Sequence, residues 1–119
     1  MNLFQSGNFI LHSGKKSRYK IDCDALTLAD WDTLALMAVE RLTPFGSVVG
    51  VPRGGILFAA ALQKYVTQGP RLIADDVLTT GKSMQEMKVN RGDIGVVVFA
   101  RGDCPNWITP IFWCVGGKE

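Results

Sequence analysis

The residues from Arg71 to Ser83 combine carboxylates, hydroxyls and a glycine at spacings that suit a phosphorylated sugar. An apolar run typical of a strand ends in Asp75 and Asp76, and adjacent carboxylates are good acceptors for vicinal hydroxyls. The next turn offers backbone N–H groups, hydroxyls and the positive end of a helix to a phosphate group. That turn consists of Thr79, Thr80, Gly81, Lys82 and Ser83. The pattern predicts that this segment binds a phosphorylated ribose.

The triplet from Gly81 to Ser83 also invites comparison with a nucleotide P-loop. A P-loop needs a glycine five residues before the glycine of this triplet, and Asp76 occupies that position. A carboxylate there would face the phosphate, so the P-loop interpretation fails. The simpler alternative is a buried strand followed by an ordinary capped helix, with both acids as solvated charges. The acid pair together with the Thr-Thr-Gly-x-Ser turn argues against that alternative.

A second candidate anion-binding loop follows the short apolar stretch that begins at Ser47. Its glycines let the backbone approach an anion closely, and its arginine can bind the anion through two hydrogen bonds. The loop consists of Val51, Pro52, Arg53, Gly54 and Gly55. Taken alone, this loop would be better explained as a plain tight turn.

The N-terminal region contains a basic turn, Ser13 to Ser17, between two short alternating stretches. This pattern predicts a β-hairpin within residues 9–22 that carries Lys15 and Lys16 at its tip. A solvated basic loop is the alternative.

The remaining sequence alternates between strand and helix patterns, which predicts an α/β fold with a parallel sheet and helices on both faces. Thr27 begins a helix, and the last strand is expected at Phe112 to Val115. The other predicted strands are 47–51, 71–75 and 94–100, and the other predicted helices are 55–66 and 82–89. We expect one domain, 1–119, with a hood at 1–25 and a core at 26–119. Both candidate loops then leave the carboxyl ends of core strands, where open α/β sheets bind ligands.

Composition agrees with a small cytoplasmic protein. The chain has 119 residues, is 47% hydrophobic and carries a net charge of +2, which is too small to indicate nucleic acid as a partner. The three cysteines have no metal-ligand spacing, so reduced thiols are expected. No apolar run approaches the length of a membrane span.

Three motifs together resemble the type I phosphoribosyltransferases. The segment 71–83 resembles their binding motif for phosphoribosyl pyrophosphate (PRPP), and 47–55 resembles their pyrophosphate loop. The N-terminal segment looks like the hood of orotate phosphoribosyltransferases, which carries a Phe-x-Leu-x-Ser-Gly-(Lys/Arg)-x-Ser-x-Tyr signature. The matching residues are Phe9, Leu11, Ser13, Gly14, Ser17 and Tyr19. The resemblance implies a Rossmann-like type I phosphoribosyltransferase fold with a hairpin hood.

The resemblance also implies an activity, the transfer of 5-phosphoribosyl from PRPP to a nucleobase, with orotate as the expected base. Asp75 and Asp76 would hold the ribose, residues 79–83 the 5′-phosphate and the loop 51–55 the pyrophosphate. The expected catalytic residues are thus Asp75, Asp76 and Arg53. Mg²⁺ would arrive with PRPP rather than bind the protein directly. The candidates for base binding are Lys15, Lys16, Tyr19, Arg101 and Trp107.

One part of the family pattern is missing. Relatives place a core strand and a long flexible lid before the PRPP strand, whereas only Ile56 to Pro70 separate the two motifs here. Some orotate enzymes also carry a substrate-contacting lysine where this chain has His12. Two alternatives therefore stay open: a purine-base phosphoribosyltransferase, and a PRPP- or nucleotide-binding protein with impaired catalysis. Because the first core strand would lack a neighbour, we expect a homodimer.

Overall fold

The computed structural model describes residues 2–11 and 13–114, and contains a two-stranded hairpin and a four-stranded sheet. The hairpin comprises β1 (Phe4–Ile10) and β2 (Lys16–Ile21). The sheet comprises β3 (Ser47–Gly50), β4 (Arg71–Leu78), β5 (Ile94–Ala100) and β6 (Ile108–Trp113). The helices are α1 (Leu28–Val39), α2 (Ile56–Leu62) and α3 (Lys82–Met87), and short 3₁₀ helices cover Cys23–Ala25 and Gln63–Tyr65.

The four-stranded sheet is parallel throughout, in the order β3-β4-β5-β6. Its central strands read as continuous apolar runs because both of their faces are covered. One face packs against α1 and α2 through residues such as Trp31 and Phe58, and the other packs against α3 through Met84. The predicted α/β fold with helices on both faces is confirmed.

Strand β4 is longer than predicted, and this changes the position of the acid pair. The sequence placed the end of the strand at Asp75, but pairing with β5 continues as far as Leu78 opposite Ala100. On its other side β3 stops at Gly50, opposite Ala74. The acid pair therefore lies inside β4, on the stretch that pairs with β5 but extends beyond the end of β3.

Strand β6 begins earlier than predicted. It runs from Ile108 to Trp113 and includes Pro110, whereas the sequence placed it at Phe112 to Val115. An edge strand tolerates a proline whose missing N–H faces away from the sheet, so Pro110 does not end the strand. Val115 lies outside the described residues.

The connection between α2 and β4 is short, as predicted. After the 3₁₀ turn that ends at Tyr65, the chain hydrogen-bonds back to the loop before β3: the Thr67 N–H donates to the Phe45 carbonyl, and the Gly46 N–H donates to the Pro70 carbonyl, both at 2.9 Å. This connection therefore lies at the amino end of the strands. None of the helices in the described ranges is long and apolar enough to cross a membrane.

The hairpin forms the predicted hood and begins at Phe4 rather than near Phe9. Its antiparallel register pairs Phe4 with Ile21 and Ile10 with Lys16, with one irregularity between Ser6 and Phe9. The turn is closed by a hydrogen bond of 2.8 Å from the Leu11 N–H to the Lys15 carbonyl. Alternation along β2 buries Ser17 and Ile21 and leaves the residues between them more exposed, so one face of the hairpin packs on the core.

Candidate active site

A cleft of about 1030 Å³ lies between the hood and the carboxyl ends of β3, β4 and β5. The parallel arrangement brings both candidate loops to this edge, as open α/β sheets do. Most of the residues singled out from the sequence line the cleft. These residues are Val51, Pro52, Arg53, Gly54, Asp75, Asp76, Thr79, Thr80, Lys82, Ser83 and Arg101.

The acid pair is held by backbone hydrogen bonds. The Asp76 N–H donates to Asp75 Oδ1 at 2.8 Å, and the Val77 N–H donates to Asp76 Oδ1 at 2.7 Å. Asp75 is only 9% exposed, and burial, together with the neighbouring Asp76 carboxylate, raises the pKa of Asp75 to about 8. Burial also raises the pKa of the Cys23 thiol to about 12, with the Asp76 charge as the next cause. The acid pair therefore sits in a partly dehydrated environment, where a bound hydroxyl interacts more strongly than it would in water.

The loop 51–55 packs directly against the acid pair. A side chain at Gly54 would collide with the carboxylate of Asp76, and a side chain at Gly55 would collide with the Ala74 carbonyl. The Gly55 N–H donates to the Val51 carbonyl at 2.8 Å, which closes the loop, and the Pro52–Arg53 peptide bond is cis. The Arg53 side chain is exposed at the cleft. The two glycines thus let the loop and the acid pair share one wall.

The loop 79–83 has the backbone that the sequence predicts for a phosphate-binding turn. Gly81 adopts the left-handed backbone conformation with φ of 80°, which residues other than glycine rarely adopt. The Lys82 N–H points to Thr80 Oγ1 at 3.4 Å, and Lys82 and Ser83 are exposed at the start of α3. We call the two loops and the acid pair the phosphate edge.

Arg101 joins the hood to the core as well as lining the cleft. Its side chain is 5% exposed, and its guanidinium donates to Ser17 Oγ at 2.6 Å and to the Tyr19 carbonyl at 3.2 Å. The guanidinium also lies 3.9 Å from the centre of the Tyr19 ring, which is a close cation–π contact. The sequence predicts a role in base binding for Arg101 and Tyr19, and in the structure these two side chains contact each other.

The other candidates for base binding do not line the cleft. Lys15 and Lys16 are exposed at the hairpin tip. Trp107 packs in the cluster around Met84 on the α3 face of the sheet, with the Lys88 ammonium 5.5 Å from its ring centre. The predicted role of Trp107 in base binding is not supported by this position, because the indole already fills space beside Gly95.

Several residues that line the cleft were not singled out from the sequence as candidates for ligand contact. The ones that face it from the hood are Phe9, Ile10, Leu11, Ser13, Lys20 and Ile21, which we call the hood wall. Glu86 lines the cleft from α3, four residues after Lys82, and this spacing was a readable signal because it places both side chains on one helix face. No comparable signal existed for Lys20, because strand alternation does not tell which face of a hairpin meets a ligand.

The residues present offer little to a metal ion by themselves. No cluster of three or more His, Cys, Asp or Glu side chains that could bind one occurs in the described parts of the chain. Asp75 and Asp76 supply two carboxylates, and Mg²⁺ in such sites takes its remaining ligands from substrate phosphates and water. These residues therefore fit an ion that arrives with a phosphorylated ligand.

Comparison with known proteins identifies the fold. No protein-family model and no curated protein matches the sequence. The structure is similar to orotate phosphoribosyltransferase from Aeropyrum pernix, with a TM-score of 0.74 and 23% identity over 93% of this chain and 88% of that one. It is also similar to the Francisella tularensis orotate phosphoribosyltransferase, with a TM-score of 0.61 and 16% identity over 93% of this chain and 80% of that one.

A larger protein contains the same fold. Leishmania donovani UMP synthase matches with a TM-score of 0.73 and 22% identity, covering 93% of this chain but only 33% of that one. The chain therefore spans about a third of the length of this relative. The chain has the fold of the type I phosphoribosyltransferases, in a shortened form that is similar to orotate phosphoribosyltransferases.

Proposed function

We propose that the protein transfers the 5-phosphoribosyl group of PRPP to a nucleobase, most readily orotate, and releases pyrophosphate. The observation that carries this proposal is the phosphate edge: two loops suited to anions flank an acid pair, of which Asp75 is buried and Asp76 half-buried, on one cleft wall. A 5-phosphoribosyl diphosphate has two phosphate-bearing ends joined by a sugar with vicinal hydroxyls. Its shape matches the order of these three features.

Each part of the phosphate edge has a role in this proposal. Asp75 and Asp76 accept hydrogen bonds from the ribose hydroxyls, and the loop 79–83 binds the 5′-phosphate through backbone N–H groups and hydroxyls. Arg53, in the other loop, binds the pyrophosphate, for which a planar guanidinium is well suited. These contacts hold the anomeric carbon in one place before a base arrives.

The transfer step follows from this positioning. A ring nitrogen of the base attacks C1 of the ribose, the bond from C1 to the pyrophosphate oxygen breaks, and pyrophosphate leaves with the bonding electrons. Mg²⁺ bound with PRPP supplies positive charge against the developing charge of the leaving group. The Asp76 carboxylate stabilises the positive charge that grows on the sugar ring, whereas Asp75, whose pKa is raised by burial to about 8, contributes hydrogen bonds. The proton on the attacking nitrogen passes to the departing pyrophosphate, which becomes more basic as its bond to C1 breaks, so the step needs no side chain as general base.

A second function is favoured by the short connection between α2 and β4. Relatives carry a lid there that excludes water and helps to neutralise pyrophosphate, and here the connection is a 3₁₀ turn and a few residues. A protein that binds PRPP or a nucleotide without turnover would show the same phosphate edge. For the purine alternative, Trp107 offers no surface on which a purine could stack, because its indole packs away from the cleft.

We also propose that the protein forms a homodimer that covers the free edge of the sheet. Within the described residues β3 pairs with β4 alone, and Ile56 and Leu57 on the adjoining α2 are 49% and 50% exposed. An uncovered edge beside apolar side chains favours association. Light scattering at micromolar concentration is expected to give the mass of a dimer, and Leu57→Glu is expected to shift it toward the monomer. A monomeric wild-type protein would contradict this.

The test of the transferase proposal has two parts. Mg-PRPP should raise the melting temperature, because a ligand that binds only the folded chain stabilises it. The double variant Asp75→Asn/Asp76→Asn keeps one acceptor oxygen on each side chain but removes the ionisable carboxyl groups. Most of the rise in melting temperature with Mg-PRPP should therefore disappear. Asp32→Asn, an exposed carboxylate on α1, serves as the matched control and should keep the shift. An unchanged shift in the double variant would exclude the acid pair as the ribose site.

The second part separates transfer from binding alone. The protein is incubated with Mg-PRPP and one base at a time, and pyrophosphate release is measured for orotate, uracil, xanthine, guanine and hypoxanthine. Release with orotate supports the proposal, and release with a purine instead would establish the purine alternative. A thermal shift without release for any base would establish a binding protein.

A further inference from the structure

The hood wall differs in character from the rest of the cleft. The phosphate edge is polar, whereas four of the six residues of the hood wall are apolar: Phe9, Ile10, Leu11 and Ile21. The other two are Ser13 and Lys20. An apolar surface with one cation suits a flat ring that bears a negative charge, since the ring packs on the apolar atoms and the charge pairs with the ammonium.

Among the cationic side chains that line the cleft, Lys20 belongs neither to a phosphate-binding loop nor to the contact between the hood and the core. Arg53 and Lys82 belong to the two phosphate-binding loops, and Arg101 is bound to Ser17 and Tyr19. Among the described residues, no carboxylate lies within ion-pair distance of the Lys20 ammonium. Its charge is therefore available to a ligand.

The backbone at Lys20 is held in place by contacts of the preceding residue, Tyr19, with buried Arg101. The carbonyl of the preceding Tyr19 accepts a hydrogen bond of 3.2 Å from buried Arg101, and the ring of Tyr19 lies 3.9 Å from the same guanidinium. On the other side Lys20 pairs with Gln5 across the hairpin. A cation on a fixed strand discriminates between ligands better than one on a mobile tip, because less conformational entropy is lost when it binds.

We propose that Lys20 binds the acidic substituent of the base and selects a carboxylate-bearing pyrimidine over a neutral one. This inference rests on the proposed transfer to a nucleobase and assigns the residue that selects the base. The charged group that distinguishes orotate from uracil would pair with the ammonium, and the ring would pack on the apolar residues of the hood wall. Uracil would keep the packing and lose the charge pair.

The test compares Lys20→Met, which keeps the length of the side chain, with Lys20→Arg, which keeps the charge. Arg18→Met is the matched control, because Arg18 is an exposed cation on the same strand that does not line the cleft. Dissociation constants for orotate and for uracil are measured by calorimetry in the presence of ribose 5-phosphate. KM for each base is measured wherever pyrophosphate is released.

We expect Lys20→Met to weaken orotate binding roughly tenfold, about 1.4 kcal/mol, and to leave uracil unchanged. Lys20→Arg should recover most of the lost affinity, and Arg18→Met should match the wild type. The inference is overturned if the wild-type protein binds orotate no better than uracil, or if Lys20→Met affects both bases equally. Loss of the Mg-PRPP thermal shift would instead count against the phosphate edge, so the two failures are distinguishable.

Discussion

The phosphate edge and the hood are two walls of one cleft, yet they are built in different ways. The phosphate edge consists of two short stretches of chain, 51–55 and 75–83, and its shape depends on the left-handed backbone of Gly81 and on the close approach of Gly54 to Asp76. The hood is attached through a side chain, because Arg101 reaches Ser17 across 84 positions of sequence. The turn 79–83 of the phosphate edge is therefore determined locally, whereas the hood is held by a tertiary contact.

This difference predicts how each wall responds to substitution. A local turn fails when a single residue cannot adopt its backbone conformation. A tertiary contact fails when one partner of a buried hydrogen bond is removed, and the loss appears in both stability and orientation. The following predictions separate these two kinds of failure, beginning with the largest effect.

Gly81→Val is expected to weaken the binding of ribose 5-phosphate at least 100-fold, about 2.7 kcal/mol. Gly81 has φ of 80°, and a β-branched side chain both resists this conformation and crowds the phosphate site. Calorimetry with ribose 5-phosphate measures the loss. Gly92→Val is the matched control, because no atom lies within 4 Å of the position its Cβ would occupy. Wild-type affinity in a folded Gly81→Val protein would show that the phosphate binds elsewhere.

Arg101→Met is expected to lower the free energy of unfolding by about 2 kcal/mol, as for a buried hydrogen bond to a charged group. Ser17 and Tyr19 would lose their common partner, so amide exchange in β1 and β2 should rise more than in β4 and β5. Arg91→Met, at an exposed turn, is the control. If exchange increased equally in hood and core, Arg101 would be stabilising the core rather than orienting the hood.

The contrast between the walls also explains what the sequence could predict. The succession of strands and helices, both loops and the acid pair follow from local patterns of apolar runs, glycines and hydroxyls. The length of β4 did not, because pairing as far as Leu78 depends on β5 continuing beside it. The partners of Arg101 and the exposure of Lys20 to the cleft depend on how the hood docks. Periodicity in a short strand shows that its two faces differ but does not show which one a ligand meets.

Taken per pH unit, the smallest predicted effect is a pH dependence of stability that originates at the acid pair. Burial, and then the neighbouring Asp76 carboxylate, raises the pKa of Asp75 from its ordinary 3.8 to about 8. Between these two values the folded chain holds a proton that the unfolded chain has released. The unfolded state therefore binds fewer protons, and stability falls as pH rises, with a slope of up to about 1.4 kcal/mol per pH unit. Below pH 4 and above pH 8 this contribution should no longer change.

Urea denaturation of the wild type and of Asp75→Asn between pH 5 and pH 8 measures this slope as a difference. Asparagine keeps an oxygen that accepts from the Asp76 N–H but does not titrate, so the variant should lose the slope and retain the fold. Other titrating groups contribute to both proteins and cancel in the difference. If the two curves were parallel, Asp75 would be ionised at neutral pH, and the acid pair would meet its ligand as two charges rather than one. An acid pair with both carboxylates ionised would resemble two solvated charges at the end of a strand. The phosphate edge would then be no more dehydrated than the exposed residues of the hood.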